Sequence, residues 1–371
     1  MQKFLSLLLV LSLTAFTFPV ANTPPSKAKI QVALMLDTSN SMDGLIAQAK
    51  SQLWKMVNEL ATAKQNGQVP DIEIALYEYG NDALNSREGY VRLVANLTTD
   101  LDKISEDLFA LKTNGGNEYC GWVIKDGTNQ LDWDTHDDVL KIIFIAGNEP
   151  FTQGEVDYRT SCKNAIQKGI IINTIFCGSY QDGIKSQWQD GAFLAEGKYF
   201  NIDPNIKTVH IPTPYDTTII RLNKELNGTY IGFNQRAVLS KNRQTVQDAN
   251  AASMSVSNMR ERASFKTKKQ YNNASWDLVD AYEADEEMID DVEDDVLPKD
   301  WQNLSKSELA SKIKELKAKR TDILSQIQTT EKLARKFEAD VRKNTPAEEN
   351  TLDKAMMRAI KSQAKAKKFE F

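Results

Sequence analysis

Histidine and cysteine are scarce in this chain: 371 residues hold two His and three Cys. That inventory excludes a disulfide framework, a Cys/His zinc cluster and a haem-attachment pair, and it removes most histidine-dependent catalysis. A surplus of positive charge is also missing. Forty-six Lys and Arg face 51 Asp and Glu, a net charge of −5, which argues against a nucleic-acid-binding face. No long apolar run occurs beyond the first twenty or so residues. With 41% hydrophobic and 26% charged residues, the composition is that of a soluble globular protein, not of a collagen-like, low-complexity or polytopic membrane chain. The length suggests about two domains.

The exception is the N-terminus. Lys3 precedes a continuous apolar run from Phe4 to Phe18 that ends at Pro19 and small or polar residues. Residues 1–22 therefore read as a cleaved signal peptide, and the mature chain is expected to be secreted or periplasmic, without membrane contact. An uncleaved anchor is the alternative, because the run approaches spanning length. No cysteine follows it, so a lipoprotein anchor is excluded.

From residue 28 to about 232, strand-like and helix-like segments alternate. Strand candidates are Ile30–Leu36, Ile72–Tyr79, Tyr90–Ala95, Val139–Ala146 and Ile170–Cys177, three of them nearly continuous apolar runs, as strands covered on both faces require. Between them Ile46, Ala49, Leu53, Met56, Val57 and Leu60, then Leu101, Ile104, Leu108 and Leu111, recur at helical spacing. The pattern predicts a Rossmann-like, doubly wound, mostly parallel α/β sheet whose ligands bind at the carboxyl ends of the strands.

Beyond residue 236 the character changes. Residues 236–300 read as a helical linker with few large apolar positions, and 277–295 carry eleven acidic side chains and no basic one. Ser305 and Glu308 form a capping box ahead of a coiled-coil-type helix over 303–343, with Leu309, Ile313, Leu316, Arg320, Ile323, Ile327, Thr330, Ala334, Phe337 and Val341 in register. It could pair between chains or fold back on its own. Arg320 in the seam favours packing against the 236–290 helices, since an unpaired buried charge is costly. Residues 347–371 read as a basic tail, a short amphipathic helix or a frayed end.

The chemistry concentrates after the first strand. Asp37-Thr38-Ser39-Asn40-Ser41 places a carboxylate and two hydroxyls at alternate positions of a tight loop, a hard-oxygen set suited to Mg²⁺, with Mn²⁺ or Ca²⁺ as alternatives. One carboxylate leaves the ion with excess charge and open coordination. Asp and Ser are also ordinary helix caps, but this string lies where an open α/β sheet puts its ligands.

ALMLDTSNSMDG resembles the opening of von Willebrand factor type A (VWA) domains, whose D-x-S-x-S forms a metal-ion-dependent adhesion site. The stretches LKTNGGNEYCGWVI, FIAGNEPF, GIIINTIFCG and IPTPYDTTIIRLNKELNGTYIGF resemble a bacterial secreted branch of that family. The resemblance, over residues 28–232, implies a metal at the top of the sheet and binding of a partner protein through an exposed Asp or Glu. It implies no reaction. Asp37 is the implied anchoring ligand, with Ser39 and Ser41 as hydroxyl ligands. Two loops depart from the family pattern. Where G-G-T is usual the chain has Gly115-Gly116-Asn117-Glu118, leaving Asn117 or Glu118 as the second-loop ligand. Where T-D-G is usual it has Gly147-Asn148-Glu149, making Asn148 the third-loop ligand with its charge lost.

The three cysteines lie towards the same end of the sheet. A Cys162–Cys177 disulfide and three buried thiols both fit. The expected function is a non-enzymatic binding module. A structural envelope protein assembled through its helical region is the alternative. A metal-dependent hydrolase ranks last, because neither Glu118 nor Glu149 has a convergent second group.

Overall fold

The computed structural model describes residues 27–206, 211–290, 292–343 and 351–371. The segment read as a signal peptide lies outside the described residues. The core is a six-stranded sheet built from β1 (Lys29–Asp37), β2 (Asp71–Tyr79), β3 (Val91–Thr98), β4 (Leu140–Gly147), β5 (Ile170–Cys177) and β6 (Tyr199–Ile202). Its order is β3-β2-β1-β4-β5-β6, all parallel except β3, which runs antiparallel to β2. This is the doubly wound α/β arrangement expected from the alternation of segments. The sixth strand escapes sequence reading because YFNI is short and interrupted by Asn201.

Every residue of β4 is buried, because helices cover both faces. Val32, Leu34 and Leu36 point into one layer with α1 (Asp43–Leu60), α2 (Leu101–Ala110) and α12 (Leu352–Ala364). Ala33 and Met35 point into the other, with α3 (Cys120–Gln130), α4 (Tyr158–Gln167) and Trp188 of α6 (Trp188–Leu194). Between β5 and α6 lies the short α5 (Tyr180–Lys185), and α7 (Asp216–Asn227) follows β6.

One expectation for the C-terminal half is corrected. Residues 236–300 are not a linker: α8 (Ala237–Met254) and α9 (Val256–Phe265) pack on the sheet domain. Few apolar positions are needed there because buried charge holds the interface. Arg262, fully buried, donates to Asp102 at 2.6 Å and Asp248 at 2.5 Å, and its guanidinium lies 4.5 Å over the Trp54 ring. Arg260, equally buried, pairs with Asp216 at 3.0 Å and with Glu331 and Glu338. Of the two alternatives for the C-terminal segment, the amphipathic helix is the one present. In α12, Leu352, Met356 and Ile360 join the core beneath α1, Lys55 pairs with Asp353 at 2.5 Å, and Phe369–Glu370 pairs antiparallel with Lys64–Gln65.

A single helix, α11 (Lys306–Arg342), starts at the Ser305/Glu308 capping box and packs in its own chain against α7, α9 and α10 (Leu278–Ala284). The seam charge is paired: Arg320 reaches Asp277 at 2.7 Å and Asp280 at 2.6 Å.

Candidate metal centre

β1 is hydrogen-bonded on both sides by parallel strands, so its carboxyl end is fixed, and Asp37 is its last residue. Chain reversal follows at once. The Ser39 amide donates to Asp37 Oδ1 at 2.7 Å. The Thr38 amide donates to Tyr79 O at 2.8 Å, Asn114 donates to Thr38 O at 2.9 Å, and Asn40 donates to Gly115 O at 3.0 Å. The first loop is thereby laced to the loop that carries Glu118.

The structure brings together the five residues singled out in the sequence. Asp37, Ser39 and Glu118 are buried. The Ser39 and Ser41 hydroxyls lie 3.2 Å apart, and the Asn148 amide donates to Ser41 Oγ at 3.1 Å. Of the two second-loop alternatives, Asn117 turns away and donates to Asp82 at 2.9 Å, whereas Glu118 faces Asp37. Its carboxylate accepts from the Glu149 amide at 3.2 Å, and its own amide donates to Gln153 Oε1 at 2.5 Å. Gln153 carries no sequence signal, since a single Gln in a loop has no distinguishing pattern.

Two glycines make room. A Cβ at Gly80, whose φ is +81°, would lie 2.7 Å from Asp37 Oδ1 and 2.8 Å from Glu118 Cγ. A Cβ at Gly147 would lie 2.5 Å from the Tyr79 hydroxyl and 3.1 Å from Asp37 Oδ2.

Burial, then the adjacent Glu118, pushes the Asp37 carboxyl well above the usual carboxylate range. Burial also raises Glu118, against the neighbouring Asp37 carboxyl, Ser39 and the Glu149 amide. Asp37 Oδ2 is buried without a hydrogen-bond partner, an arrangement that costs free energy unless a proton or a cation occupies it. The donor set fits a hard divalent cation: two carboxylates, two hydroxyls and one amide oxygen. Among the described residues no three His, Cys, Asp or Glu side chains converge, so the hydroxyl and amide oxygens would have to complete the shell.

The Cys162–Cys177 disulfide is not formed. All three cysteines are free and buried; Cys177 points into the layer under α1, Cys162 into the layer under α3 and α4. The sheet stands between them.

No family model matches the chain, and no curated protein matches it. Among solved structures it is similar to BatB from Bacteroides thetaiotaomicron, at 15% identity over 47% of this chain and 90% of that one, TM-score 0.36. It is similar also to the SpRpn10 VWA domain, at 13% identity over 48% and 91%, TM-score 0.36. A third is proximal thread matrix protein 1 from the mussel byssus with a zinc-occupied MIDAS motif, at 10% identity over 47% and 41%, TM-score 0.33. The strand order and the loop after β1 establish the fold: a doubly wound, mostly parallel α/β sheet with Asp37 at the carboxyl end of its central strand.

Proposed function

We propose that the protein is a secreted or periplasmic binding module that captures a partner protein through a divalent cation. Asp37, Ser39, Ser41, Glu118 and Asn148 would hold the ion, Mg²⁺ in first place, and an exposed Asp or Glu of the partner would complete its coordination. The observation that carries the reading is the orphaned, buried Asp37 Oδ2 beside a second buried carboxylate, at the end of a strand pinned on both sides. Chemically, a bound cation supplies an electrophilic centre for a carboxylate. The residues of this chain position that centre. The test is affinity capture on immobilised protein with Mg²⁺ present. Proteins retained by the wild type, released by chelator and absent from an Asp37→Ala column support the reading. An identical retained set on both columns contradicts it.

A second reading is assembly through α11. Its far end leaves Leu333, Phe337 and Val341 exposed at 46%, 39% and 37%, a stripe at helical spacing. Sedimentation of the wild type against Leu333→Lys/Phe337→Lys decides it: a dimer dissociated by the substitutions favours assembly, and a monomer in both excludes it.

A further inference from the structure

Among the described residues strand β6 pairs with β5 on one side only, at the edge of the sheet. The register fixes which of its backbone groups are in use. Thr174 lies opposite Tyr199 and donates to Lys198 O at 3.0 Å. In a parallel ladder the next bonds inward then belong to Phe200 and Ile202. The amides and carbonyls of Tyr199 and Asn201 therefore face away from the sheet, and among the described residues neither makes a backbone bond to another loop or helix.

Edges of this kind are ordinarily blunted by charge or proline. The other edge follows that rule, with Arg92 exposed on β3 and paired to Glu78 at 2.6 Å. Tyr199–Ile202 is short and flanked by Lys198 and Asp203, but carries no charged residue within it. Beside it runs a groove of about 650 Å³ between β6 and the α5–α6 turn, lined by Tyr180, Ile184, Phe193 and Tyr199 and, at its polar margin, by Asp190 and Lys198. Phe193 is 81% exposed and Tyr180 45%, although the neighbouring Trp188 is fully buried. Tyr199 is fixed in the wall by its hydroxyl, which donates to Tyr180 O at 2.8 Å.

We infer that the free edge of β6 is a docking edge for an extended polypeptide segment of a partner protein. The segment adds a strand through the outward backbone groups of Tyr199 and Asn201 and seats alternate apolar side chains against Phe193, Ile184 and Tyr199. Backbone pairing supplies the affinity and the groove the preference for apolar residues at alternate positions, the division of labour of strand addition. A helix or a compact surface would leave these backbone groups unpaired.

The experiment uses the full chain and a synthetic heptapeptide that alternates valine and threonine around a central tyrosine, beside the same peptide N-methylated at alternate residues. The expected result is saturable binding of the unmodified peptide, protection of the Tyr199 and Asn201 amides from hydrogen exchange, and at least about tenfold weaker binding of the methylated peptide on its pairing edge. Two folded variants should lose affinity to a similar extent. Phe193→Ser removes the groove contact, and Asn201→Pro removes an amide that no ladder bond uses. Absence of saturable binding, equal affinity for the two peptides, or protection elsewhere would overturn the inference. So would a dimer of the chain itself that Asn201→Pro dissociates, because a second copy would then be the occupant.

Discussion

Gly80 stands against Asp37 so closely that a β-carbon on it would lie 2.7 Å from the carboxylate oxygen Oδ1. Its φ of +81° adds a backbone penalty of about 1–2 kcal/mol for any L-side chain. Gly80→Ala is therefore expected to weaken divalent-cation binding by more than about tenfold while leaving every donor atom in the sequence. Mn²⁺ titration of the folded variant, monitored by water-proton relaxation, checks this. Unchanged affinity would mean that Asp37 and Glu118 do not form the site.

The joint between the sheet and the helical half rests on buried charge. Removing Arg262 leaves Asp102 without its cation and Asp248 with Lys266 alone, and breaking a buried pair from one side costs about 3–5 kcal/mol. Arg262→Met should lower stability by that order in urea unfolding. Arg221→Met, which removes an exposed pair with Glu225, should change it by less than about 0.5 kcal/mol. Equal effects of the two substitutions would show that the helical half is loosely attached.

Acid should loosen the C-terminal helix. Burial alone would raise the Asp353 carboxyl, but Lys55 and then Thr351 outweigh it and hold the folded value below the ordinary one. A carboxyl lowered on folding contributes stability above its unfolded value, and that contribution disappears as pH falls through the folded value. The difference in melting temperature between wild type and Asp353→Asn should be present at neutral pH and vanish below the usual carboxylate range. A difference independent of pH would assign the effect to packing.

The cysteines should behave as buried thiols. Burial pushes Cys162 up to about 12 and holds Cys120 and Cys177 well above the usual thiol range, so few thiolates exist at neutral pH. Thiol reagents should leave all three unmodified in the folded protein and modify all three in denaturant. Rapid labelling of the native protein, or fewer than three reactive thiols after unfolding, contradicts this arrangement.

Five of the six sheet strands were legible in the sequence because buried parallel strands write themselves as apolar runs. Ile170–Cys177 matches to the residue. The loop at Asp37 stood out in the sequence because its alternating oxygen donors follow such a run, at the end where an open α/β sheet puts its ligands. What remained hidden had its partner far away in the chain. Arg260 and Arg262 resemble solvated helix residues until Asp216, Asp102 and Asp248 are placed around them. Met356 and Ile360 resemble part of a basic tail until α1 supplies the surface that buries them. Which of Asn117 and Glu118 turns towards Asp37 depends on Asp82, which captures the asparagine amide. The disulfide expectation failed because two cysteines near one end of a sheet can still occupy opposite faces.

The most direct measurement is a calorimetric titration of Mg²⁺ and Mn²⁺ into the purified protein, beside Asp37→Ala and Glu118→Gln. The account predicts saturable one-site binding in the wild type, no binding to Asp37→Ala, and binding weakened by about tenfold or more to Glu118→Gln. Absence of binding in the wild type, or binding unchanged by Asp37→Ala, would contradict the proposed metal centre and shift the search for function to the helical half and the β6 edge.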